Sequence, residues 1–215
     1  MFTVSSAAEN TALTTLEEVK SQLSISASDE DEYLEKAILK STAVICAWLN
    51  VASAVDGSKT IGLETIIETF RLNRCENELL LSRPLPFMPV TITSVTEDGV
   101  AVATDEYELH EGGILYRLTD DDEPTHWPVG KIVVTYTAGW QLPDDDSRNL
   151  PYDIEEAAIS LIKATRFSRS RDPMLRSENI LESLYSYSLF EPSSDGSSLP
   201  IEVKDKLSPY RNVSI

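Results

Sequence analysis

Apolar positions along the chain change their period twice. Leu16, Val19 and Leu23 recur at helical spacing behind a capping box, with Thr15 at the cap and Glu18 three residues on, and predict a short helix over 15–23. Ser28 is placed to cap a second helix over 29–49. Its first turn, Asp29 to Glu32, puts acids where the helix dipole favours them, and its stripe is Leu34, Ala37, Ile38, Ser41, Ile45, Trp48 and Leu49. From about Ile61 the period becomes two. Residues 64–72, 77–81, 90–96, 107–109, 114–117 and 131–136 read as strands, the last as a strongly apolar central one. Pro84, Pro86 and Pro89 punctuate an extended crossing, Asp98-Gly99 is a hairpin turn signal, and Gly112-Gly113 separates a second hairpin pair. Helical spacing returns after Pro151 with Ile154, Ala157, Ala158, Leu161, Ile162 and Thr165, predicting a helix over 152–170. Beyond Pro173, residues 185–190 alternate like a strand and 177–184 read as compatible with helix. Residues 192–198 form a flexible Ser-rich linker, and the tail opens a short helix at Pro200 and stops at Pro209.

These elements predict an α+β fold. Two main helices and a short one form a bundle, packed with a small, mainly antiparallel β-sheet from 61–137, and an extended C-terminal arm follows. The expected division is a flexible N-terminus over 1–13, a core domain over 14–170 and an assembly arm over 171–215. Trp48 is expected in the core.

Charge narrows the functions open to this fold. The chain has 36 acids against 18 bases, a net −18, so its surface as a whole is unsuited to nucleic acid or an anionic membrane. Solubility accounts for such a balance; an acidic wall that DNA slides past is the sharper reading. Glu97 to Glu123 holds ten acids and one base, Arg117. The sign reverses at 163–176, where Lys163, Arg166, Arg169, Arg171 and Arg176 face Asp172 alone. That run either complements a helix C-terminus or contacts an acidic partner, and both readings stay open.

Candidate chemistry adds little. Two cysteines, Cys46 in an apolar helical stretch and Cys75, make no disulfide framework, and a reducing cytoplasm is the default expectation. The N-terminus lacks a signal-peptide pattern and no run approaches 18 apolar residues. Two histidines limit any zinc or triad arrangement, no nucleophile elbow occurs, and Gly57 to Thr60 lacks the glycines of a phosphate loop. The acid runs at 120–123 and 144–146 lack the spacing of a calcium loop. No catalytic set, metal or cofactor is therefore expected.

The layout resembles the head–tail connector (adaptor) proteins of tailed bacteriophages and prophages over most of 14–211. Leu16-Glu17-Glu18-Val19-Lys20-Ser21-Gln22-Leu23 followed by Asp29-Glu30-Asp31-Glu32-Tyr33-Leu34 is similar to that family's opening. Pro89-Val90-Thr91-Ile92-Thr93-Ser94-Val95 is similar to its first sheet motif, and Trp127-Pro128 before Tyr136-Thr137-Ala138-Gly139-Trp140 to its W-P, then Y-x-A-G-aromatic pattern. Pro151-Tyr152-Asp153-Ile154 and a closing Leu207-Ser208-Pro209-Tyr210-Arg211 complete the match. The resemblance implies a non-enzymatic virion protein of the phage neck, assembled in the host cytoplasm. Its copies form a ring, commonly of twelve, beneath the portal protein. Genomic DNA passes through the ring without specific binding, and a tail or stopper protein docks below; no membrane is involved. In that setting Arg169, Arg171, Arg176, Leu199, Ile201, Val203, Leu207, Pro209, Tyr210 and Arg211 are the expected partner-binding residues, since the tail carries apolar groups that need a surface to cover. A tail folded back on its own domain is the simpler alternative. An acidic DNA-mimic inhibitor is the competing function. Its acids would run in a regular stripe, whereas here they cluster at helix caps and hairpin loops.

Overall fold

A computed structural model describes residues 2–145, 147–169, 177–180, 183–186 and 199–212. The chain forms two compact units, one β-rich (Met1–Thr11, Cys46–Asn149 and Tyr210–Ile215) and one helical (Ala12–Ile45 and Leu150–Pro209), where the sequence suggested one core over 14–170.

In the β-rich unit, alternating stretches form β1 (Phe2–Ser6), β2 (Glu64–Leu72), β3 (Glu78–Leu80), β4 (Val90–Glu97), β5 (Val100–Val102), β6 (Tyr107–His110), β7 (Ile114–Leu118), β8 (Pro124–Thr125) and β9 (Gly130–Ala138). They make two antiparallel sheets. One has the order β1-β2-β9-β4-β5, with the most apolar strand central; the other has β3-β7-β6, with β8 on β7. The β content is thus substantial, and the expected small sheet is corrected accordingly. The expected flexible N-terminus is corrected as well: Phe2–Ser6 is an edge strand paired with β2, and Phe2 is buried. Its physical basis is a partner more than sixty residues away, which a local reading does not see.

The larger sheet has two unlike faces. Ile66, Val95, Ile132, Val134 and Tyr136 are buried on one; Thr65, Ile67, Thr69, Val133, Thr135 and Thr137 are half-buried on the other. Asp98 and Gly99 both take positive φ (+47° and +89°), the twist a two-residue hairpin needs between β4 and β5. Gly139, in the Y-x-A-G-aromatic stretch, has φ +129°, and a Cβ there would lie 2.2 Å from the Gly62 carbonyl oxygen. Only glycine allows that approach of two backbones.

In the helical unit, α1 (Leu16–Leu23) starts where Thr15 Oγ1 accepts the Glu18 N–H at 3.2 Å. It is followed by α2 (Asp31–Trp48), α3 (Tyr152–Arg169), a hairpin of β10 (Ser177–Ile180) and β11 (Ser183–Ser186), and α4 (Ile201–Leu207). The strand at 177–180 replaces the helix considered for that stretch; Ser and Asn bond their own backbone and favour non-helical conformations. Val19, Leu34, Ala37, Ile38, Ile159 and Ile162 form the shared core of the first three helices. Trp48, in the last turn of α2 and part of the β-rich unit, is half-buried rather than in the core. The guanidinium of Arg211 lies 5.0 Å from its ring centroid, at cation–π distance.

Candidate functional site

The tail marked by the sequence is attached. α4 packs along α3 within the helical unit, and Leu199, Val203 and Leu207, one stripe at fourfold spacing, are buried at 4%, 1% and 0% exposure. Lys206 Nζ pairs with Glu156 at 2.8 Å. Each such apolar side chain removed from water contributes about 1.5–3 kcal/mol, enough to hold a two-turn helix in place. The stripe therefore serves the chain's own fold, the alternative left open above. Ile201, by contrast, is 73% exposed, and Pro209 and Arg211 are exposed too. In the β-rich unit Tyr210 lies edge-on to Trp140 (6.1 Å) and Phe87 (6.2 Å), and the Asn212 N–H donates to the Leu49 carbonyl at 3.0 Å. Arg171, Arg176 and the side chain of Arg169 lie outside the described residues.

Other cations of the basic run are engaged locally. Arg166 pairs with Glu30 at 2.8 Å, and Lys163 donates to Gln22 Oε1 at 3.0 Å. Beside them a groove of about 330 Å³ is lined by Tyr33, Ala37, Val44, Leu161 and Leu199, with Lys36 and Lys40 at its edge.

In the β-rich unit the lone base of the acidic stretch acts as a hub. Arg117 meets Glu97 (2.8 Å), Glu106 (3.3 Å) and the carbonyls of Glu106 and Leu118, and its guanidinium lies 6.0 Å from the ring of the fully buried Trp127. Asp120, Asp121, Asp122 and Glu123 remain exposed, with no cation partner among the described residues.

Sequence reasoning missed two features here. The first is a buried polar network. Arg83, 1% exposed, pairs with Glu64 and donates to the Ala52 carbonyl. Glu68 accepts from the Ser82 N–H and the Tyr136 hydroxyl, each at 3.0 Å, and from the Ser82 hydroxyl. Burial raises the Glu64 carboxyl against the opposing pull of Arg83. Burial, with Glu68 beside it, holds the Tyr136 hydroxyl protonated, and burial pushes the Cys46 thiol up to about 11. Closed from solvent, these groups fix strands rather than meet a substrate. A signal was present for part of it, since Glu64 and Glu68 share strand parity with Ile66. The second feature is Phe87, 74% exposed at φ +62°, a left-handed conformation that bulky residues rarely take. It borders a groove of about 520 Å³ beside Pro84, Pro86, Met88 and His110. The three prolines announced a rigid crossing but not its display of an aromatic ring.

Among the described residues no group of three or more His, Cys, Asp or Glu is placed to hold a metal ion, and no helix is long and apolar enough to cross a membrane. No curated protein matches the chain. Solved structures do. A chain in the virion of a native gene transfer agent particle matches at 16% identity and TM-score 0.56; one in the neck of an empty particle computed with C6 symmetry at 16% and 0.57; and one in the neck of a native particle computed with C12 symmetry at 17% and 0.52. Each match covers 100% of this chain and 97% of the other. At that identity the likeness establishes a shared fold. The family described as head completion protein matches residues 12–170, which takes in the helical unit's first three helices and strands β2 to β9. The chain belongs to the head completion protein family.

Proposed function

We propose that the chain is a ring-forming adaptor of a tailed phage or prophage neck. Its copies, twelve in this reading, sit beneath the portal protein, prolong the DNA channel and present a platform to the tail or a stopper protein. The observation that carries this is the pairing of a family match over 12–170 with a fold shared along the whole chain with neck structures computed with C6 and C12 symmetry. A net charge of −18 supports a conduit role, because carboxylates repel passing phosphates and DNA gains no foothold. The chain works by contact, without a catalytic step, metal or cofactor.

Residues 171–215 are the assembly arm in this reading. Leu199, Val203 and Leu207 seat α4, while Ile201, Pro209, Tyr210 and Arg211 face the partner, and Arg169, Arg171 and Arg176 pair with its carboxylates. One arm holds weakly; a ring engaging many arms holds firmly. The test mixes purified chain with portal protein and images the product. Rings capping the portal are expected, and Ile201→Asp with Arg211→Glu should abolish capping while the melting temperature stays within a few degrees. A wild-type chain that neither binds portal nor forms rings overturns the reading. Normal capping by the variant removes the arm from it.

A further inference from the structure

The outer face of the β1-β2-β9-β4-β5 sheet is chemically unlike the rest of this chain. On β2 it presents Thr65, Ile67 and Thr69; on β9 the paired positions are Thr137, Thr135 and Val133; on β4 they are Thr91, Ser94 and Thr96. With 36 acids in 215 residues, none falls on this face of the three central strands, whereas Glu64, Glu68 and Glu97 all lie on the opposite one. At one end the strand register sets Arg71 directly across from Lys131. Both are exposed, and neither has a carboxylate partner among the described residues. Like charges directly opposite destabilise a sheet, so the pair is a cost to the isolated chain that an incoming anion would lift.

Building on the ring reading above, we propose that this face receives a second copy of the chain, with Arg71 and Lys131 meeting the neighbour's Asp120–Glu123 run. Copies at net −18 repel one another, and association needs a patch where carboxylates do not confront carboxylates. Glu9, Asp144 and Asp145 border the Thr65–Thr137 end of the threonine face, but its middle and its Arg71–Lys131 end are such a patch, and the threonine methyls, Ile67 and Val133 add apolar contact. Arg71 and Lys131 lie at the end of the face away from those acids, and pairing them with a run outside the face makes the contact heterologous, the kind that closes into rings. The exposed acids at 120–123 supply the missing charge. A strand spacing of about 4.8 Å and a two-residue repeat of about 6.7 Å give roughly 400 Å² of flat face, half of what one partner lends to a standard interface. Each contact is therefore weak alone. Two cations are also too few to give duplex DNA a firm hold, which disfavours a phosphate partner.

Three variants test this by sedimentation and negative-stain imaging, alone and with portal protein, after circular dichroism has shown native melting. Thr135→Arg in the middle of the face, and separately Arg71→Glu with Lys131→Glu, should each weaken self-association ~10-fold or more. Adding Asp121→Lys and Asp122→Lys to the charge-reversed protein should restore it to within about threefold. Since Arg71 and Lys131 are exposed, the charge-reversed variant decides the matter even if Thr135→Arg fails to fold. Ring formation unchanged by charge reversal overturns the assignment, as does a reversal that leaves rings intact while lowering duplex DNA affinity, which would make the pair a phosphate contact. A wild-type chain that stays monomeric in every arm overturns the ring reading itself, a different result from rings that ignore these substitutions.

Discussion

The two units hold themselves together by different physics. The helical unit packs Val19, Leu34, Ala37, Ile38, Ile159 and Ile162 in its centre and keeps its ion pairs, Lys20–Asp31 and Arg166–Glu30, at the margin. The β-rich unit also buries apolar side chains, but threads Arg83, Glu64, Glu68, Ser82 and Tyr136 between them. Apolar contact is non-directional and tolerates exchange of shape at conserved volume. A buried charge network is directional, and removal of one member strands the others. The helical unit is thus built to be forgiving and the β-rich unit to hold one register.

Substitution within the network should have the largest effect. Arg83→Met leaves Glu64 buried without its partner and is expected to cost about 3–5 kcal/mol in urea unfolding. The double variant Arg83→Met with Glu64→Leu should recover most of that loss, and failure to recover would remove the network from the contrast. Next, Ile38→Ala in the helical core should cost about 2–4 kcal/mol, whereas Ile38→Leu should stay under about 1.5 kcal/mol. A leucine variant as damaging as Arg83→Met would erase the difference between the units. Cys46 sharpens the comparison through pH. Its folded thiol holds the proton to about 11, against an ordinary 9.0, so the stability it contributes is complete below 9.0 and is lost as pH rises towards 11. The loss is on the order of 2 kcal/mol, and Cys46→Ala should flatten alkaline melting curves over that window. The native protein should correspondingly yield one reactive thiol, the exposed Cys75. The smallest effect is expected at the helical margin. Arg166→Ala should cost under about 1 kcal/mol, and the loss should shrink with added salt.

What the sequence disclosed follows the same divide. Period alone located α2, α3 and the central β9, because a one-sided apolar stripe and a strict alternation are local signals. Asp98-Gly99 located its hairpin through backbone chemistry. The edge strand β1 escaped because its partner is far along the chain, and Arg83 escaped because nothing local distinguishes a buried arginine from an exposed one. The tail stripe Leu199, Val203 and Leu207 was legible as apolar, but a stripe does not name the surface that covers it; α3 does. Trp48 fitted the spacing of α2's stripe, yet Leu49 beside it took the interior. The threonine face could have been read from Thr65, Thr69, Thr135 and Thr137, which share parity within their strands, had each strand's charges been sorted by side.

The interleaving of the two units has a consequence for synthesis. The β-rich unit takes segments before residue 12, between 46 and 149, and after 209, and the helical unit takes the intervening ones. Neither is contiguous, and the helical unit's last residue, Pro209, is made just before the β-rich unit's last segment begins. The strand pairings need nothing beyond β9, but at about 5–20 residues per second Trp140 and Phe87 stay without Tyr210 for seconds more. A chain cut short before residue 210 would carry a β-rich unit with Trp140 and Phe87 lacking Tyr210. The contact of Tyr210 with Trp140 and Phe87 is therefore among the last parts of the β-rich unit's packing to form.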